Sequence, residues 1–129
     1  MPKSKKTILV VEDSRALLML YEKEFTAAGY KVLAFANLVD ALIGFESHPV
    51  DLVLTDLILP DIKGTDLIPH LHLHSDIPVV VVTASGELKD SLPKEEPTIK
   101  AFFEKPVPMK TLIKAINKIL DGKTKKRKK

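Results

Sequence analysis

Three carboxylates stand where apolar runs end. Glu12 and Asp13 follow Thr7-Ile8-Leu9-Val10-Val11, and Asp56 follows Asp51-Leu52-Val53-Leu54-Thr55. Such runs read as short buried strands, and a carboxylate at the carboxyl end of one opens into the crevice where α/β proteins bind ligands. If both runs end at one edge of a sheet, the three acids converge. Like charges that close disfavour full ionisation, and a divalent cation removes the conflict. Hard oxygen donors with no His or Cys beside them point to Mg²⁺ or a similar ion such as Mn²⁺. Taken alone, acids at loop tips would equally form a solvated surface.

Two later residues add to the acids. Thr83 ends the run Pro78-Val79-Val80-Val81-Val82-Thr83, and Lys105 ends Ala101-Phe102-Phe103-Glu104-Lys105. A hydroxyl and an ammonium at the same rim as metal-binding carboxylates form an electrostatic clamp for a phosphoryl group. Separately, Thr83 reads as a strand-end hydroxyl bonded to backbone. Lys105 reads as an ion-pair partner of the acids, a role that still places it at the rim.

This convergence needs strands that end on one edge. Apolar runs near 7–11, 31–35, 51–55, 78–83 and 101–104 alternate with helical patterns. Leu17, Leu18, Tyr21, Phe25 and Ala28 recur at three- and four-residue spacing, with Ser14 placed to cap that helix and Gly29 to end it. Asn37 caps a second helix, whose inner stripe is Leu38, Ala41, Leu42 and Phe45 and whose stop is His48-Pro49. A last helix follows Pro108, with Leu112, Ile113, Ile116, Ile119 and Leu120 inward and Gly122 as its stop. Pro69 falls inside an expected third helix, and Pro93 and Pro97 make an expected fourth helix shortened or irregular. The alternation predicts an α/β fold, a doubly wound five-stranded parallel sheet covered on both faces.

A chain of 129 residues, 45% hydrophobic and 29% charged, has the size and balance of one folded domain rather than a disordered or fibrous chain. No apolar stretch reaches the length of a membrane span. The start, Met1-Pro2-Lys3-Ser4-Lys5-Lys6, is basic, but the apolar run after it is too short for a secretory signal, so a cytoplasmic location is expected. The absence of cysteine excludes a disulfide framework and a thiolate metal site. The net charge of +3 hides an uneven distribution, because six of the 20 Lys and Arg lie in 123–129. Residues 7–122 hold 11 basic and 17 acidic side chains, a net of −6. The expected organisation is a basic extension at 1–6, a domain at 7–122 and a basic, disordered tail at 123–129.

The set Glu12-Asp13, Asp56, Thr83-Ala84 and Lys105-Pro106, with Leu59-Pro60-Asp61-Ile62-Lys63-Gly64 after Asp56, resembles the receiver domain of two-component response regulators, the CheY-like or flavodoxin-like (βα)5 fold. The resemblance runs from about Thr7 to Gly122, with each motif at an expected strand end. It implies that Asp56 accepts a phosphoryl group from a sensor histidine kinase or a histidine phosphotransfer protein, giving an acyl phosphate. Asp13, Asp56 and the backbone carbonyl of Ile58 would bind Mg²⁺ directly, with Glu12 acting through water. Lys105 and the metal would neutralise the equatorial oxygens during in-line transfer. Thr83 would bond a phosphoryl oxygen and move toward it, leaving space for Phe102 in the fifth strand. As a Phe lacks a hydroxyl, Phe102 would report through packing alone.

The resemblance further implies a stand-alone regulator with no fused output domain, catalysing only its own phosphorylation and slow dephosphorylation. Its message would pass through a phosphorylation-dependent contact with a downstream protein. Ile58 and Ser85 occupy positions that tune phosphate lifetime, and an apolar Ile58 cannot orient an attacking water. The stretch Pro93–Pro97 departs from the small residues usual before the fifth strand, on the face many receivers use to meet partners.

Two other classes compete. A haloacid-dehalogenase-like phosphatase would carry a second Asp two residues after its nucleophile, where this chain has Arg15 after Asp13 and Ile58 after Asp56. A phosphorylation-independent receiver, working only as a binding module, would have lost an acid or the lysine. His70, His72 and His74 include a helical pair at four-residue spacing, but no third ligand lies near them in sequence, and a solvated helix end accounts for them. The Lys-rich tail could meet nucleic acid, an acidic partner or an anionic membrane surface, and no nucleic-acid contact is expected elsewhere. It contains no aromatic residue for base stacking.

Overall fold

The computed structural model describes residues 5–56, 77–84 and 99–128, the last seven of these by backbone alone. The elements run β1 (Thr7–Val11), α1 (Arg15–Ala27), β2 (Lys31–Phe35), α2 (Leu38–Ser47), β3 (Leu52–Thr55), β4 (Val79–Thr83), β5 (Ile99–Glu104) and α3 (Met109–Lys128). All four strand pairs are parallel and the order is β2-β1-β3-β4-β5. This is the doubly wound arrangement expected from the alternation. The expected third helix with Pro69 and the irregular fourth helix with Pro93 and Pro97 lie outside the described residues.

The central strands β1, β3 and β4 are buried along their whole length and apolar except for threonines at their ends, because side chains alternate between two covered faces. Leu9, Val11, Val53, Val79 and Val81 point to the α2 side, where Leu38, Ala41 and Phe45 meet them. Ile8, Val10, Leu52, Leu54, Val80 and Val82 point to the other side, under Tyr21 and Phe25 of α1 and Leu112, Ile116 and Leu120 of α3. Tyr21 and Phe25 stack with ring centroids 5.6 Å apart. Lys100 is the extra residue at an irregularity in β5, so Val79 pairs with Ile99 but Val80 with Ala101.

The helix ends follow the local chemistry. The Ser14 hydroxyl accepts from the Leu17 N–H, and the Asn37 side chain accepts from the Asp40 N–H at 2.9 Å, each satisfying a donor that the first turn leaves open. After α1 the chain turns at Gly29, whose φ of 101° lies in the left-handed region that favours glycine. Ala28, placed on the inner stripe by spacing, is exposed instead, because it is already the cap residue and the stripe ends at Phe25. Gly44 of α2 lies against the Phe35 ring, where a Cβ would collide with it. At the far end of α1, the Tyr30 hydroxyl donates to the Asn117 side chain of α3.

α3 does not stop at Gly122, as the sequence suggested, but continues as helix to Lys128. A single glycine costs a helix only about 1 kcal/mol, while the lysines beyond it are good helix formers and complement the negative end of the helix dipole.

Candidate functional site

In this sheet the strand order reverses between β1 and β3, so their carboxyl ends flank the switch point where such folds bind ligands. The chemistry-bearing residues continue the ladder just past the strands. Glu12 N–H donates to the Phe35 carbonyl at 3.0 Å, and Asp56 N–H to the Val11 carbonyl at 3.1 Å. Lys105 N–H donates to the Thr83 carbonyl at 2.8 Å. Glu12, Asp56 and Lys105 are therefore each anchored through their own backbone to the neighbouring strand. The peptide Lys105–Pro106 is cis.

Carboxylate oxygens of Glu12, Asp13 and Asp56 lie within 4.8 Å of one another, as the convergence of strand ends predicted. Glu12 and Asp56 are buried, at 2% and 5% exposure, whereas Asp13 is exposed. The Lys105 ammonium bridges the two buried acids, donating to Glu12 Oε1 at 2.7 Å and to Asp56 Oδ2 at 2.8 Å. Glu12 Oε2 accepts from the Ser14 N–H at 2.9 Å. Ser14 thus holds an acid of the site with its backbone while capping α1 with its side chain.

Burial pushes the Glu12 carboxyl above its ordinary value, against the Lys105 and Ser14 hydrogen bonds that favour its ionised form. The charge of Asp56 adds to the rise only as the smallest contribution, so desolvation rather than like-charge crowding dominates. For Lys105, burial works against the charge. Its hydrogen bonds to Asp56 and Glu12 outweigh that, and its pKa is raised. Burial also pushes the Tyr21 phenol up to about 12, with Glu12 contributing next.

Three carboxylates faced by one ammonium leave the cluster short of positive charge. All its donors are hard oxygens, and the exposed Asp13 opens it to solvent, so the residues present suit a divalent cation. Thr83 Oγ1 is buried and has no hydrogen-bond partner among the described residues. The strand-end reading of Thr83, a hydroxyl bonded to backbone, therefore does not hold here. A buried donor kept without a partner is costly, and it suits a ligand oxygen that arrives at the rim.

Lys105 does pair with the acids, and the pairing puts it in the site. Phe102 packs against the α2-side core and Phe103 against the opposite one. Ile58, Ser85 and the three histidines at 70, 72 and 74 lie outside the described residues. Sequence reasoning placed Tyr21 only in the core stripe and missed that its phenol feels the charges of Glu12, Lys105 and Asp56. The available signal was its place on the inner face of α1, the helix that starts directly after Glu12-Asp13.

A family model for the response regulator receiver domain matches residues 8–117, and the chain belongs to that family. It is similar to a CheY-like response regulator receiver domain protein from Methanospirillum hungatei JF-1, at 31% identity and a TM-score of 0.88. That match covers 95% of this chain and 99% of that one. Among curated proteins it is 32% identical over 120 residues to a probable transcriptional regulator ycf27 of Porphyra purpurea, covering 93% of this chain and 49% of the relative. It is 29% identical over 115 residues to the transcriptional regulatory protein GlrR of Escherichia coli (strain K12), covering 88% of this chain and 26% of the relative. The chain thus spans about half or less of the length of these curated relatives. The cluster of Glu12, Asp13 and Asp56 with Lys105 matches the phosphoacceptor and metal-binding site of receiver domains. It is consistent with a domain that catalyses only its own phosphorylation and dephosphorylation. No helix among the described residues is long and apolar enough to cross a membrane.

Proposed function

We propose that the chain is a Mg²⁺-dependent receiver that takes a phosphoryl group onto Asp56 from the phosphohistidine of a sensor kinase or phosphotransfer protein. The observation that carries this is the Lys105 ammonium held between Glu12 and Asp56 at 2.7 and 2.8 Å, at the ends of strands that flank the crevice. A carboxylate oxygen of Asp56 attacks phosphorus in line, the P–N bond breaks, and the donor imidazole leaves with the electron pair. Lys105, already within bonding distance of Asp56, neutralises charge on the transferring oxygens. Glu12 and Asp13 complete the ligand set with Asp56, and a bound Mg²⁺ or Mn²⁺ supplies the positive charge that one lysine cannot. The carbonyl of Ile58 is a further expected ligand, outside the described residues.

The output begins at Thr83. Its unpartnered hydroxyl donates to a phosphoryl oxygen once one is present. Phe102 pairs with Val81, two residues before Thr83 and on the same face, so a shift of Thr83 opens room on the side where Phe102 packs. The product is a changed surface read by a downstream protein. A cytoplasmic location and a histidine-kinase source go with this reading, and the similarity to regulators such as GlrR supports the latter.

The test is intact-mass measurement after incubation with a small phosphodonor and Mg²⁺. Wild type gains one phosphoryl mass, Asp56→Asn gains none, and Lys105→Ala gains it far more slowly. Equal phosphorylation of Asp56→Asn, or none of wild type, would overturn the assignment.

A further inference from the structure

Away from the acid site, charge is divided sharply between α3 and the rest of the domain. Eight of the 20 residues of α3 are Lys or Arg against one acid, Asp121, a net of +7. Residues 7–108 hold eight basic and sixteen acidic side chains, a net of −8. Lys110, Lys114 and Lys118 follow one another at four-residue spacing and all three are exposed, while Leu112, Ile116 and Leu120 are buried on the opposite side. At about 1.5 Å rise per residue the lysines stand about 6 Å apart in one row along the helix. None of the three has an ion pair among the described residues. The backbone then carries the helix on into 123–128, where five of six residues are Lys or Arg.

An ordinary solvated helix face mixes signs, because like charges four residues apart cost a few tenths of a kcal/mol per pair. Here the row holds one sign from Lys110 to Lys118, which only a line of negative charge turns from a cost into a gain. We infer that α3 is a docking surface for the phosphate backbone of double-stranded DNA. Three features favour that occupant over other polyanions. The apolar residues of α3 are spent on the core, so no apolar face is left to enter a lipid bilayer. The exposed residues between the lysines, Thr111 and Asn117, are polar, with no aromatic ring on which single-stranded bases could stack. A helix of 20 residues, about 30 Å long, matches about one turn of B-form duplex, whose major groove admits a helix where that of A-form RNA is too narrow. This inference stands apart from the phosphoryl chemistry, because none of its residues belongs to the acid cluster.

The experiment is fluorescence anisotropy of the full chain with a labelled DNA duplex of about two helical turns, titrated between about 50 and 200 mM salt. Wild type binds at low salt and loses affinity steeply as salt rises. The triple variant Lys110→Gln, Lys114→Gln, Lys118→Gln binds at least about tenfold more weakly at low salt, with a log–log salt slope shallower by about one for each lysine removed. Asp121→Lys, which adds a cation near the row, binds more tightly than wild type. No binding by wild type at low salt overturns the inference. So does a triple variant with the affinity and slope of wild type, an Asp121→Lys variant no tighter than wild type, or tighter retention on phosphatidylserine vesicles than on the duplex.

Discussion

At the amino end of β1 the Asp51 carboxylate accepts from the Thr7 N–H at 2.8 Å, and the Asp51 N–H donates to the Thr7 carbonyl at 2.9 Å. At the carboxyl end of the same sheet, Glu12, Asp13 and Asp56 crowd around one ammonium and Thr83 keeps a buried hydroxyl without a partner among the described residues. The first edge is closed at this point, where Thr7 and Asp51 answer each other's polar groups. The second is held together by groups that would all be better satisfied by a ligand. A sheet whose three central strands are fully buried can carry such an edge because its two apolar faces supply the stability that the crevice does not. Buried acids and an unpartnered hydroxyl gathered at one end, rather than scattered, mark where the molecule works.

The largest way to break this contrast is to remove the one cation. Lys105→Ala removes from the buried Glu12 and Asp56 the ammonium that both of them bond. In chemical denaturation without metal it costs about 3 kcal/mol, a buried-pair value reduced because Lys105 is one-fifth exposed. Saturating Mg²⁺ recovers part of that loss, since a ligand bound only by the folded state stabilises it. A loss that Mg²⁺ leaves unchanged would count against the open edge. Asp51→Ala, at the closed edge, costs about 1–2 kcal/mol through the lost bond to Thr7, and added Mg²⁺ leaves that difference from wild type unchanged because it stabilises both proteins equally.

A pH titration of metal-free protein separates the edges next. The folded-state pKa of Glu12 is raised above its ordinary 4.5, so the folded protein binds that proton more tightly than the unfolded chain. Its contribution makes stability fall as pH rises from about 4.5 through the raised value, and Glu12→Gln removes that decline. Lys105, raised above 10.5, contributes stability that is fully present below 10.5 and is lost as pH rises through its folded value. A Glu12→Gln profile that overlays wild type in the acidic limb would refute the assignment. The smallest effect belongs to Thr83→Val, which replaces an unanswered hydroxyl by a methyl of the same size. It changes stability by less than about 1 kcal/mol, toward a more stable protein, yet it abolishes the amide-shift response of β5 to a phosphoryl mimic.

Much of this was legible in the chain because it rests on short-range pattern. Four-residue apolar runs and three-to-four spacing name strands and helices, Ser14 and Asn37 announce their helices, and an acid after a buried run names the edge. Distances across the chain were not legible. Glu12 and Lys105 are 93 residues apart and Asp56 and Lys105 are 49 apart, and only folding brings them within 2.8 Å. The sequence likewise treats Glu12 and Asp13 as equals, although one is buried and raised and the other is exposed. The end of α3 shows the opposite failure, where a local stop signal at Gly122 was overridden by the helix propensity of the Lys-rich residues beyond it.

By itself the sequence determined the alternation of five buried strands with amphipathic helices and the set of groups able to handle a phosphoryl group, because periodicity and residue chemistry are local properties. Tertiary structure alone decided that one lysine bridges two of three acids, that burial rather than crowding raises Glu12, and that Thr83 is left unanswered. It also turned three separate lysines of α3 into one exposed row. Each of these depends on how residues distant in sequence exclude water from one another, and solvent exclusion belongs to the packed molecule and not to any segment of the chain.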